Sequence, residues 1–419
     1  MTSNPAVGAP SGVPVGSPVT GDEFFDRDTE LAELTGLLRL GASVLITAPR
    51  RIGKTSLLLE LANRLGDEGA FLFVDVQSRT TEADAVLKLA ETAAQHHDLR
   101  HVVADAFRNV LGTLFSRLDE VTLSELSVKL RDGIAPDWRS KADEILERLA
   151  RAEKPVVVAF DELPILVSAL LCGDDRRMTP ERVERTRVFL SWLREATIRH
   201  RRELRFIVSG SIGLEPLLTR AGISETMTTF TPLEVSPWDQ TTARRFVEDR
   251  TRRAGVAMSD GAADRLLERI ACFIPHHVAM FVHFVLQDSR RRGATKCSPA
   301  DVDRIYHEQM LSVHGHVELA TYEDRLRRVV APETLGAALE LLTEAAVVGR
   351  LTQAAASAVL QAQGLVGRDA AETLRFLLGV FVHDGYLKRR GDDFVFVSNL
   401  LRDWWSRRFS LGYVRVDER

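Results

Sequence analysis

Apolar and polar positions follow three successive styles along this chain, and each style predicts a different kind of structure. Leu31, Leu34, Leu37 and Leu38 recur at helical spacing after Asp28, which predicts a helix capped by that aspartate. Five strand-like runs follow, with helical stretches between them: Ser43–Thr47, Ala70–Val76, Pro155–Phe160, Leu204–Val208 and about Thr229–Val235. Strands that alternate with helices predict a parallel sheet covered on both faces. Val156-Val-Val-Ala-Phe and Arg205-Phe-Ile-Val read as apolar runs, as strands buried on both sides must be, so they belong at the sheet centre. The pattern from Glu82 to Ala152 is helical throughout and predicts a large insert between the second and third strands.

After Trp238 the strand pattern stops, and helices are predicted at about Thr241–Ala254, Asp260–Ala271, His276–Arg290 and Pro299–Met310. From Pro332 the order changes again. Helices near 334–347, 352–363 and 369–385 precede Leu387-Lys-Arg-Arg, a turn at Gly391-Asp-Asp and the alternating run Phe394-Val-Phe-Val. Three helices followed by a hairpin describe a winged-helix module. The expected organisation is therefore a flexible tail at 1–22, an α/β domain at 23–237, a helical lid at 238–315, a linker at 316–332 and a winged helix at 333–419. No internal repeat of fixed period is present, which excludes a solenoid.

Composition changes this picture little. The 419 residues are 45% hydrophobic and 27% charged, ordinary values for a globular chain. A net charge of −4 argues against coating nucleic acid by bulk attraction, although 48 of the 55 basic residues are arginine. Cys172, Cys272 and Cys297 are far apart and form no metal-ligand spacing, which suits a reducing compartment. No apolar run approaches the ~18 residues of a membrane span, and residues 1–21 lack both the basic start and the apolar core of a signal peptide. A cytoplasmic protein without membrane contact is expected.

The strongest chemical signal is Ala48-Pro-Arg-Arg-Ile-Gly-Lys-Thr-Ser, where a predicted strand ends and the predicted helix Thr55–Leu65 begins. It reads as a P-loop. Backbone N–H groups of Pro49-Arg50-Arg51-Ile52-Gly53, short of the proline, would turn toward a phosphate chain at a helix N-terminus, Lys54 would offset its charge, and Thr55 would offer a hydroxyl to Mg²⁺, with Ser56 next inside the helix. Ala48 occupies the position where this motif has its first glycine. About a hundred residues on, Val156-Val-Val-Ala-Phe-Asp-Glu is a buried strand ending in two acids, a Walker B pattern. Asp161 is expected in the Mg²⁺ shell and Glu162 beside the attacking water. Ser209, with Ser211 second, ends a neighbouring strand and is a candidate to reach the γ-phosphate or the water.

These residues resemble an AAA+-related P-loop ATPase of the archaeal-type ATPase family, close to the STAND signalling NTPases. The resemblance runs from about Phe24 to Phe409. It is carried by Phe25-Asp-Arg-Asp-Thr-Glu-Leu, Pro49-Arg-Arg-Ile-Gly-Lys-Thr-Ser-Leu-Leu, Phe160-Asp-Glu-Leu, Ser209-Gly-Ser-Ile-Gly-Leu, Ile274-Pro-His-His and Tyr322-Glu-Asp-Arg-Leu. It implies ATP between sheet and lid, with Arg27 near the adenine and Pro275 packing by the nucleotide. Asp26 and Phe273 stand where such proteins carry glycine. Arg220 is positioned as an arginine finger for a neighbour's nucleotide, whereas His276 and His277 read as helix-start residues without chemistry.

The helix expected to read DNA in a winged-helix module, Asp369–Gly385, carries Asp369, Glu372 and Asp384 against Arg375 and shows an excess of acid. Lys388, Arg389 and Arg390 make the wing more basic, and Trp404 and Trp405 anchor the last helix. The combined expectation is a cytoplasmic, Mg²⁺-dependent ATP-binding protein and slow ATPase acting as a conformational switch in signalling or defence. Self-association on ATP binding and a separate protein partner are expected; the alternative is ATP-dependent DNA binding of the initiator type.

Overall fold

A computed structural model describes residues 13–106, 134, 137–210 and 213–419 of the chain. Its contacts divide into two compact units. One is Thr20–Arg50 with Lys54–Val235; the other is Ser236–Arg419 with Arg51–Gly53 and the segment ending at Val19.

The first unit is built on a parallel sheet of β1 (Ser43–Thr47), β2 (Ala70–Asp75), β3 (Val156–Asp161), β4 (Leu204–Ser209) and β5 (Phe230–Glu234), in the order β2-β3-β4-β1-β5. The helices α1 (Asp28–Arg39), α2 (Lys54–Leu65), α3 (Glu82–Gln95), α4 (Arg100–Ala106), α5 (Trp138–Leu149), α6 (Leu163–Cys172), α7 (Pro180–Arg199) and α8 (Leu214–Ala221) make the connections. The two apolar runs are interior strands, as expected: every residue of β3 is buried, and Phe206, Ile207 and Val208 of β4 are fully enclosed. Each valine, isoleucine and phenylalanine among them stabilises the unit by about 1.5–3 kcal/mol relative to exposure. Pairing of Ile46 with Ser209 and of Phe160 with Val208 sets β1, β3 and β4 level, so their carboxyl ends open on one edge. Ligands of open α/β sheets bind beyond that edge. Of the helical insert, 107–133 lies outside the described residues.

Asp28 does not cap α1. The N-cap is Arg27, and Asp28 is the first helical residue, where a carboxylate suits the positive end of the helix dipole. The expected tail also differs. Its first twelve residues lie outside the described ones, but Val13 is buried, its carbonyl faces His283 Nδ1 at 3.3 Å, and Gly21–Glu23 form a short 3-10 turn.

The second unit contains α9 (Gln240–Arg253), α10 (Ala262–Ile270), α11 (Pro275–Arg292) and α12 (Pro299–Ile305), the last extended by a π-helical turn at Tyr306–Met310. The two-residue strands β6 (Ala257–Met258) and β7 (Lys296–Cys297) pair between them. Residues 316–332, expected as a linker, are mostly helix: α13 runs Val313–Val329, and α14 (Pro332–Val348) begins three residues later. Tyr322 and Leu326 are buried, so an apolar face holds this stretch in place. There follow α15 (Gln353–Ala362), α16 (Gly367–His383), the antiparallel hairpin β8 (Leu387–Arg390) and β9 (Asp393–Phe396), and α17 (Asn399–Phe409). Leu351 bridges to Phe394, adding a third short segment to the hairpin.

The helices after Trp238 and the C-terminal module are one unit rather than two. Ser398 Oγ donates to the Ile270 carbonyl and Tyr306 Oη to Asp403 (2.8 Å), while Arg408 Nε pairs with Glu323 (2.6 Å). Trp404 and Trp405 are buried, and Trp405 Nε1 donates to Thr343 Oγ1, which bears out their reading as anchors. In α16 the core face is narrower than expected: Leu377, Val380 and Phe381 are buried, but Leu374 and Phe376 only half so.

Candidate functional site

At the carboxyl edge of the sheet, the loop after β1 passes into α2 with Lys54 as its first helical residue. The Lys54 side chain is buried, and its Nζ donates to the carbonyls of Ala48 (3.1 Å) and Pro49 (2.9 Å). Lys54 thus folds the loop onto itself and holds its charge within the loop's curvature. The left-handed backbone that such a loop needs falls at Arg51 (φ 64°) and Gly53 (φ 97°), not at Ala48, so alanine fits the first motif position. A Cβ on Gly53 would meet nothing within 4 Å; the conformation alone requires glycine there.

Asp161, last residue of β3, is the focus of the site. Thr55 Oγ1 donates to its Oδ2 at 2.9 Å, and the fully enclosed Ser209 Oγ donates to its Oδ1. Burial raises the Asp161 carboxyl above the ordinary carboxylate range, and the adjacent Glu162 charge adds to the rise. The hydrogen bonds from Ser209 and Thr55 and the Lys54 ammonium offset part of it. Lys54, Thr55, Asp161 and Ser209 are therefore brought together, as the motif order predicts. Ser211 lies outside the described residues.

The next residue, Glu162, is half-buried and takes a left-handed conformation (φ 61°, ψ 29°) as N-cap of α6. For a side chain other than glycine this costs about 1–3 kcal/mol and persists only where the surroundings over-determine it. Its backbone N–H is 3.1 Å from Asp161 Oδ1, so one carboxylate fixes both the hydroxyls and the backbone that presents Glu162.

Hydroxyl and carboxylate oxygens are the donors a hard cation such as Mg²⁺ takes. Among the described residues no group of three or more His, Cys, Asp or Glu side chains is placed to hold a metal ion. A cation at Asp161 would thus rest on one carboxylate, one hydroxyl and its substrate's phosphates, the mode in which Mg²⁺ joins phosphate chemistry.

Arg27 is buried at the start of α1 and ion-pairs with Glu30. Asp26, in place of the usual glycine, keeps a left-handed φ of 50°. Arg220 is exposed on the last turn of α8, and its charge acts on the thiol of Cys172. Pro275 opens α11, and Phe273 pairs by backbone with Trp238 without taking a left-handed φ; Ala271 takes one instead.

Arg51 belongs with the second unit. Its Nη2 donates to Glu318 Oε2 (2.6 Å), which His276 Nε2 also approaches (3.1 Å), and the His276 N–H reaches the Arg51 carbonyl (3.4 Å). Glu318 was invisible to sequence reasoning, because no motif ties a carboxylate to an arginine 267 positions away. His276 thus has a carboxylate partner that its helix-start position does not predict. His277 is fully buried, with Nδ1 lacking a hydrogen-bond partner among the described residues, and burial lowers its pKa to about 3.

The sequence profile of a family described as an ATPase domain predominantly from Archaea matches residues 24–249, more than half of the chain. No curated protein matches. Among solved structures, the Walker-type ATPase PABY2304 of Pyrococcus abyssi is similar in fold, with a TM-score of 0.59 and 16% identity over 93% of this chain and 97% of that one. The ORC2 protein of Aeropyrum pernix, solved in ADPNP and ADP complexes, is also similar, with a TM-score of 0.52 and 13% identity over 94% of this chain and 98% of that one. Both share the P-loop NTPase architecture. Among the described residues no helix is long and apolar enough to cross a membrane.

Proposed function

The chain belongs to the ATPase domain family predominantly from Archaea, an ATP-binding and ATP-hydrolysing family, and on that premise we propose that it is a nucleotide-dependent conformational switch of a signalling or defence type. The observation that supports this reading best is the convergence of Thr55 and Ser209 on the single carboxylate of Asp161. In this reading Lys54 exchanges its loop carbonyls for the β- and γ-phosphates, the loop N–H groups and the N-terminus of α2 receive the phosphate chain, and Thr55 and Asp161 would hold Mg²⁺. Bound Mg²⁺ would supply neutralisation of the charge that develops on the phosphates. Glu162 orients the attacking water, while Ser209 keeps Asp161 turned toward Thr55.

Hydrolysis, ATP + water giving ADP + phosphate, then resets the switch, with the second unit as its moving part. Arg27 and Pro275 are assigned to the adenine side, Arg220 to a neighbouring copy, and the three helices and hairpin of 332–396 to a winged-helix module. Calorimetric titration with Mg-ATP and with ADP, beside size-exclusion chromatography in each nucleotide, tests this. Tight binding with a nucleotide-dependent elution volume is expected; no Mg-ATP binding overturns it.

One observation favours DNA binding of the initiator type as a second reading. Lys388, Arg389 and Arg390 are exposed on β8. Against it, Arg389 also donates to the Gly391 carbonyl and faces Asp392 at 3.7 Å, and α16 shows no basic face: its exposed Arg368 and Arg375 are balanced by Asp369 and Glu372, with Arg368 paired to Glu372 at 2.7 Å, so the expected excess of acid becomes an even balance because the helix starts at Gly367 and Asp384 is buried. A protein partner, rather than a duplex, suits that surface better.

A further inference from the structure

Two features flank Glu162, and only one belongs to the P-loop chemistry. On one side, Asp161 is fixed by Ser209 and Thr55. On the other, Leu163 leads to Pro164, whose ring packs on Gly210, the residue directly after Ser209. A Cβ built on Gly210 would lie 2.3 Å from Pro164 Cδ and 2.4 Å from Cγ, and 3.4 Å from its Cβ. Gly210 has no positive φ, so its conformation does not demand glycine; the approach of the ring does.

Neither partner can yield locally. Pro164 has its φ held by its ring and lies in the first turn of α6, where the Ile165 N–H also returns to the Glu162 carbonyl (3.0 Å). Gly210 continues β4, whose Phe206, Ile207 and Val208 are fully enclosed. The left-handed turn at Glu162 is therefore bounded before by a carboxylate tied to β4 and after by a proline seated on the same strand's end.

From this we propose that Gly210 and Pro164 form a steric clamp that positions Glu162 for hydrolysis. The inference rests on the reading of Glu162 given above. Gly210 and Pro164 are positioning residues and touch no reacting atom. A methyl group at Gly210 must push the ring away by about 1 Å to reach ordinary contact distance, and a misplacement of that size costs up to about 100-fold in rate. Nucleotide binding, which draws on Lys54, Thr55 and the loop, is left intact.

The test compares steady-state ATP hydrolysis and equilibrium ATP binding of the full chain with those of Gly210→Ala, Pro164→Ala and the double variant. Gly210→Ala is expected to lower kcat about 10- to 100-fold with the ATP Kd changed less than about 2-fold. Pro164→Ala removes Cγ and Cδ, leaving only the 3.4 Å contact, so the double variant should rise from the Gly210→Ala rate to that of Pro164→Ala. Wild-type kcat in Gly210→Ala, or a double variant no faster than the single, overturns the clamp. Should Gly210→Ala fail to melt cooperatively, Pro164→Ala decides alone: it introduces no clash, and a kcat equal to wild type overturns the proposal, whereas a fall of about 3- to 10-fold at unchanged Kd supports it. If the unmodified chain binds ATP but hydrolyses none, the role of Glu162 fails first and the clamp with it. Turnover in the unmodified chain with variants at the same rate removes the clamp alone.

Discussion

Thr55 and Asp161 are 106 positions apart in the chain, yet the threonine hydroxyl donates to the aspartate at 2.9 Å. The bond joins the first turn of α2 to the end of β3, and it exists because β1 and β3 end level on the two sides of β4. Every assignment of function to this chain depends on that level edge.

Removing the ammonium inside the loop should weaken nucleotide binding. A hydrogen bond to a charged group contributes about 1.5–3 kcal/mol, so Lys54→Ala is expected to bind Mg-ATP about 10- to 150-fold more weakly by calorimetry. Equal affinity in the variant would contradict the placement of Lys54.

Glu162→Gln keeps the size and the N-cap backbone but removes the carboxylate. Turnover should fall about 100- to 10,000-fold while the ATP Kd stays within a few-fold, because a water-orienting group acts on chemistry and not on the bound phosphates. Phosphate release measured on both proteins separates the outcomes, and unimpaired release would remove Glu162 from the mechanism.

His277 makes stability depend on pH. Its folded pKa is about 3, lowered by burial first and then by His276 and Arg51, with Glu318 acting in the opposite sense. The unfolded chain protonates the same ring near pH 6.5, so below that value the unfolded state binds more protons and stability falls as pH falls. Between pH 6.5 and pH 5 the loss should be about 2 kcal/mol. Urea unfolding at the two pH values measures it, and His277→Leu should flatten the difference; an equal slope in the variant would assign the dependence elsewhere.

If the wing grips phosphates, duplex binding should depend on Lys388, Arg389 and Arg390, and replacing all three by alanine should reduce the salt slope by about 3. The switch reading expects fluorescence anisotropy to register no duplex binding that these residues control. Salt-dependent binding abolished by the triple change would favour the initiator-like reading.

Local physics made much of this legible in advance. Strand positions followed from short apolar runs, the helix starts at Lys54 and Pro275 lay within one residue of expectation, and motif spacing singled out Lys54, Thr55 and Asp161, which the fold gathers at one edge of the sheet. A helical period is a local property, and so is a motif. The cap of α1 failed by one residue, since an aspartate serves equally well as cap or as first helical residue.

Tertiary structure decided what depends on register and distant contact. The pairing of Arg51 and His276 with Glu318, the hold of His283 on Val13, the merging of the lid with the C-terminal module and the seat of Pro164 on Gly210 all join positions 42 to 270 residues apart. No periodicity carries such information. Which carboxylate meets which arginine, and which glycine meets which ring, follows from the sheet order and the packing of helices on it, and these arise only once the whole core is buried together.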